Sequence, residues 1–151
     1  MKISQITAVA IAGFLSVSMA TPLLAQEMLS GADAIAKRQE LMKSNGATLK
    51  GAGAATGDAA IAAAQTLVDN FTHLGTLWPA DSKDGNTKAL PGIWNSDGTH
   101  NDGFLTAFSN ALGAANVLLA AAQAGDTAAY GAGAKALGGT CGSCHETFKA
   151  R

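Results

Sequence analysis

The sequence predicts an all-α protein: an antiparallel four-helix bundle with one long loop between its second and third helices. Three observations carry that expectation. Aromatic residues make up only 5% of the chain, small residues abound, and β-branched residues never gather into an alternating run. Four segments repeat apolar residues at spacings of three and four. The first and last links between them are short, as antiparallel neighbours require.

The first helix is expected over Leu29–Lys50, with Ile35, Arg38 and Met42 on one face and Gly51 and Gly53 ending it. The second runs from Asp58, a good N-cap, to His73, and Ile61, Leu67, Val68 and Phe71 form its apolar side. Residues 75–101 hold Pro79, Pro91 and several glycines, so they read as a loop. Trp78, Leu90, Ile93 and Trp94 are too large and apolar to leave in water and should anchor it. The third helix spans Asp102–Ala124, with Phe104, Phe108, Leu112 and Leu119 marking its buried face. Gly125-Asp126 makes a turn with an N-cap, and the fourth helix follows over Thr127–Lys149. Gly113, Gly131 and Gly133 each cost about 1 kcal/mol relative to Ala, and should permit the close approach that a bulky flat cofactor needs.

Ahead of the bundle, Lys2, the uncharged apolar run Ile6–Met19 and small residues at Ala20 and Ala25 have the layout of a secretory signal peptide. Cleavage after Ala20 and after Ala25 both fit. The second lies nearer the first helix, giving a removed segment 1–25 and a single domain over 26–151. Loss of Lys2 leaves nine basic and eleven acidic residues, a formal charge of −2. That balance lacks the basic stripe a nucleic-acid partner needs. No later apolar run is expected to span a membrane, and export points to the periplasm.

Both cysteines fall in Cys141-Gly142-Ser143-Cys144-His145. A disulfide between residues three apart on a helix would close a tiny loop and constrain almost nothing. Two thiols and an imidazole in C-x-x-C-H order form the attachment site of c-type haem. The thiols add to the two vinyl groups on one porphyrin edge. Cys141 and His145, four apart, share a helix face, so the imidazole can reach the iron while the sulfurs hold the ring. Leu137 and Phe148 continue that face and are expected to pack on the macrocycle. The expected cofactor is one covalently attached haem c with its iron. Other uses of the motif stay open. One is a thioredoxin-like redox pair, for which the preceding strand is missing. Another is a thiol pair without a cofactor. The third is an exported zinc-binding bundle using Cys141, Cys144, His145 and a distant His73 or His100. No constellation suggests turnover of a substrate, so the chain is not expected to be an enzyme.

The motif lies near the end of the last helix, in Gly138-Gly139-Thr140-Cys141-Gly142-Ser143-Cys144-His145-Glu146-Thr147-Phe148-Lys149. The first helix carries Ala36-Lys37-Arg38-Gln39-Glu40-Leu41-Met42-Lys43. With Pro91-Gly92-Ile93-Trp94 and the alanine-rich third helix, the chain resembles the class II cytochromes c, which include cytochrome c prime. The resemblance covers nearly all of residues 26–151. It implies thioether links at Cys141 and Cys144 and a proximal iron ligand at His145. It further implies that Arg38 pairs a haem propionate, that Gln39 adds a hydrogen bond there, and that Met42 sits over the distal face.

Two roles stay open for Met42. In one branch of the family the equivalent methionine binds iron, giving a low-spin electron carrier. In the cytochrome c prime branch the residue only fills space, and five-coordinate high-spin iron is open to nitric oxide or carbon monoxide. Met28, His73 and His100 are the other ligand candidates, but Met28 is near the terminus, His73 is expected in solvent at the end of the second helix, and His100 is expected to decorate the N-terminus of the third. Thioether ligation raises a haem potential, and Leu41-Met42-Lys43-Ser44-Asn45-Gly46 looks closer to the ligated branch. A methionine acting as plastic core filler is the alternative. Expected partners are periplasmic redox proteins, small gases under the second reading, and a second copy of the chain through the first two helices.

Overall fold

Helix α1 spans Gly31–Ala52, α2 Gly57–Leu74, α3 Asp102–Gln123 and α4 Thr127–Phe148. The computed structural model describes Leu29 and residues 31–151, so the expected signal segment, both cleavage points and Met28 lie outside them. The element boundaries follow the sequence with small shifts. Asp58 is not the N-cap of α2. Thr56 takes that place without a side-chain bond, and Asp58 lies in the first turn, where its charge still suits the positive helix end. Asn101 caps α3, accepting from the amides of Gly103 and Phe104. Asp126 caps α4 as expected, accepting from Ala129. Gly125 turns the chain between them at φ 68°, a conformation only glycine adopts without penalty.

The long loop is ordered by two 3-10 turns, at Ala80–Ser82 and Pro91–Ile93. An isolated antiparallel bridge joins Ala89 to Lys149, and the Leu90 amide donates to the Phe148 carbonyl at 2.9 Å. The loop is thereby clipped to the end of α4.

Two apolar clusters fill the interior. The larger runs through the bundle and includes Leu41, Leu67, Phe71, Leu74, Leu118, Tyr130 and Leu137, with alanines between them. The smaller joins Trp78, Ile93, Trp94 and Phe104. Trp78, Ile93 and Trp94 are thus buried anchors as expected, while Leu90 is half-buried. On α3 the deeply buried face is Phe104, Ala111, Ala115, Leu118 and Ala121, and the expected Phe108, Leu112 and Leu119 flank it half-buried. Small residues hold the centre of that face because they let α2 and α4 approach closely.

Two further expectations need correction. Helix α3 is long and apolar enough to cross a membrane by length and composition, with a mean hydropathy of 1.5. Here its apolar stripe is buried against its bundle neighbours. The helical glycines do not share one purpose. A Cβ on Gly133 would meet Leu118 Cδ1 at 3.3 Å, so this glycine seats α4 against α3 and makes no room for a cofactor. Gly113 and Gly131 face open space.

Candidate functional site

α1 packs on α2, and α4 on α3, but α1 and α4 barely touch. Between them, under the long loop, lies a cleft of about 390 Å³, in the range of ligand sites. Helix α1 contributes Arg38, Gln39, Met42 and Lys43, and α4 contributes Cys144, His145, Phe148 and Lys149. The loop and α3 close it with Trp78, Ile93, Phe104 and Phe108, making its lining mostly apolar. The helical period explains the convergence. Arg38 and Met42 stand one turn apart on α1, and Cys144 and Phe148 one turn apart on α4.

Both cysteines are free and half-buried. Burial pushes both thiols above the ordinary cysteine value, and the neighbouring Cys141 adds to the effect at Cys144. Cys144 lines the cleft, whereas Cys141 packs against the main core. His145 also lines the cleft. Burial, with a smaller contribution from the Lys149 ammonium, holds its imidazole below the ordinary value of 6.5. The shift favours the neutral imidazole, whose ring nitrogen lone pair can bind a metal.

Arg38 is 4% exposed and sits 4.3 Å over the Trp78 ring. Its Nη1 donates to the Leu77 carbonyl at 3.0 Å and to Ser82 Oγ at 2.7 Å. Its Nη2 donates to the Ser82 carbonyl at 3.0 Å. The fork therefore holds the loop down, a role the sequence did not suggest. Among the described residues, no carboxylate pairs this cation. Burial lowers its pKa to about 10. A buried charge without a counter-ion is costly, so a carboxylate entering with a ligand would compensate it. Gln39 likewise reaches the loop, donating from Nε2 to the Asn86 carbonyl at 2.7 Å. Met42 is half-buried and touches both apolar clusters.

Several residues stand elsewhere than expected. Leu137 is fully buried in the main core and does not line the cleft. Phe148 does line it, edge-on to Phe104. His100 Nε2 lies 2.8 Å from the Trp78 carbonyl and stacks near Phe104, so it braces the loop. His73 is half-buried at the end of α2. Among the described residues, no three His, Cys, Asp or Glu side chains form a group able to hold a metal ion, so the zinc reading lacks its ligand set. Sequence reasoning missed Trp78 and Phe108 as cleft walls. It treated large aromatics as core, and only the tertiary contacts separate a core aromatic from one lining a cavity.

The family model for cytochrome c' matches residues 33–149. The chain belongs to the cytochrome c' family. A cytochrome c' of Rhodopseudomonas palustris is 33% identical over 127 residues, covering 79% of this chain and 83% of that protein. A cytochrome c' of Rhodospirillum rubrum is 44% identical over a shorter stretch, 42% of this chain and 41% of that protein. The chain thus matches less than half the length of that relative. The solved R. palustris cytochrome c' is 31% identical, with a TM-score of 0.64 over 79% of this chain and 97% of that one. A ferrous cytochrome c' variant from Alcaligenes xylosoxidans, solved with bound nitric oxide, is 25% identical, with a TM-score of 0.70 over 83% of this chain and 99% of that one.

Membership of this family means a four-helix haem protein with one covalently attached haem c and its iron. The residues present fit such a group. The cleft is apolar and of suitable size, a thiol and a neutral imidazole open onto it, and a buried cation beside it lacks a counter-ion.

Proposed function

We propose that the protein is a periplasmic cytochrome c' whose iron keeps one axial position open for a small gas and exchanges single electrons. In this reading Cys141 and Cys144 carry the thioether links and His145 is the one protein ligand. Met42 fills the far side of the cleft without binding iron. The observation that carries the reading is the placement of the C-x-x-C-H turn of α4 against a separate apolar cleft. Support for the open position comes from the family and from the nitric oxide complex of a relative. Met42 already serves as packing between the two apolar clusters, which suits a filler. The rival reading, Met42 as sixth ligand, is favoured by its lining the same cleft as His145.

When bound, the haem would supply the one-electron couple and an iron able to take a diatomic ligand, held by Cys141, Cys144 and His145. The chain's own residues set the conditions. The neutral His145 imidazole offers its lone pair without first losing a proton. Trp78, Phe104, Phe108 and Phe148 keep water from the cleft, so a small uncharged gas is favoured over ions. Arg38 places a fixed positive charge where a propionate would lie, which orients the group. Exposure of the cleft mouth gives electrons a path to partner proteins. The homodimer implied by the family resemblance is part of the same proposal.

The test uses holoprotein made with a working haem-attachment system. Its mass should exceed that of the polypeptide by one haem. Met42→Ala should leave the oxidised visible spectrum high-spin and unchanged, and should speed carbon monoxide binding to the reduced protein several-fold. A change from a low-spin to a high-spin spectrum on this substitution would establish ligation by Met42 and end the proposal.

A further inference from the structure

The mouth of the cleft is basic, although the chain as a whole carries a formal charge of −1. Three lysines line it, each from a different element: Lys43 from α1, Lys88 from the loop and Lys149 from the end of α4. All three are exposed. No carboxylate is among the lining residues. The nearest acid on α1, Glu40, is held by Lys37 at 2.8 Å. Among the described residues, none of the three lysines makes an ion pair.

The main chains of two of these lysines are held side by side. The Ala89–Lys149 bridge is flanked by a bond from the Ala150 amide to the Lys88 carbonyl at 2.8 Å. It fixes Lys88 and Lys149 one residue out of register. Drawing like charges together costs Coulomb energy, which an anionic partner offsets. With Arg38 behind them, four cations face one opening. Two propionates of a haem would offset only half of that, so the mouth stays positive when the cleft is filled.

We infer that this rim docks an acidic surface patch of a partner protein, steering it to the exposed edge of the cofactor. Association of opposite charges across such a mouth raises encounter rates, and salt weakens it. The inference rests on the electron-exchange part of the proposed function. It assigns to Lys43, Lys88 and Lys149 a role in partner choice.

The sign of the salt effect tests it. The reduced holoprotein is oxidised by hexacyanoferrate(III), an anion, which takes up the one electron the protein loses. Tris(phenanthroline)cobalt(III), a cation, serves as the opposite probe. If the rim governs, the hexacyanoferrate rate falls about tenfold as ionic strength rises from about 10 mM to about 500 mM, and the cobalt rate rises. A combined Lys43→Gln, Lys88→Gln, Lys149→Gln variant should lose both trends, while Lys135→Gln, a lysine outside the cleft lining, should keep them. If the hexacyanoferrate rate instead rises with salt, the overall negative charge governs and the inference is overturned. It is overturned equally if the triple variant keeps the wild-type trend. Failure of both probes to oxidise the protein at any salt would count against electron exchange itself. Far-ultraviolet circular dichroism checks that the triple variant keeps its helices.

Discussion

Between α3 and α4, Gly133 lets the Leu118 side chain lie against the α4 backbone, and the seam closes without space to spare. Between α1 and α4 the same bundle stays open. Large rings from the loop and from α3 stand in the gap, the loop is pinned by the Arg38 fork, and its far end is clipped to α4. A four-helix bundle can close all of its seams, so an open one needs residues that hold it open. The contrast shows where the fold has placed its stability and where it has reserved room. The seam is made of small and aliphatic residues in a dry core. The cleft is made of aromatics, one buried cation and polar braces to loop carbonyls.

This contrast can be broken by truncating one side chain on each side. Leu118→Ala, at a fully buried seam position, should cost about 3 kcal/mol, read as a lower denaturant midpoint. Phe148→Ala removes a larger side chain, yet in protein prepared without haem it should cost only about 1–2 kcal/mol, because it widens space that already exists. Equal losses would mean that the cleft is packed like the seam.

Acid should act on the cleft before the seam. The folded state holds His145 below its ordinary value of 6.5, so the unfolded chain binds more protons there. The associated stability is complete above that value and is lost as pH falls through 6.5 and then through the depressed folded value. Denaturation midpoints of protein without haem, measured across pH 7 to pH 5, should therefore fall, and should fall less in His145→Gln. The smallest effect is expected at the seam glycine. Gly133→Ala gains about 1 kcal/mol of helix propensity, but its methyl would sit 3.3 Å from a Leu118 methyl, which must shift. The two nearly cancel, leaving a change within about 1 kcal/mol. A gain of the full propensity difference would show that the seam is looser than its geometry.

Much of this was legible in the residues. The helices were marked by apolar spacing, by Asp126 and Gly125 at one turn, and by the absence of proline from residues 26–151 outside the loop. The haem motif was legible because its chemistry is local, with thiols and imidazole on adjacent turns of one helix. The roles of Arg38 and Leu137 were not. Arg38 was expected to meet a propionate, but nothing in its spacing told that its terminal nitrogens also hold Leu77 and Ser82, about forty positions away. Leu137 shares a helix face with Cys141, yet it falls on the closed side of α4.

The sequence by itself determined the four helices, the single long loop and the C-x-x-C-H turn, because each depends on neighbours within a few residues. Tertiary structure alone decided which seam opens, which aromatics become walls, and that three lysines from separate elements share one rim. Those facts depend on how far apart α1 and α4 are held, and that distance is set by long-range contacts of the loop, which no local spacing records.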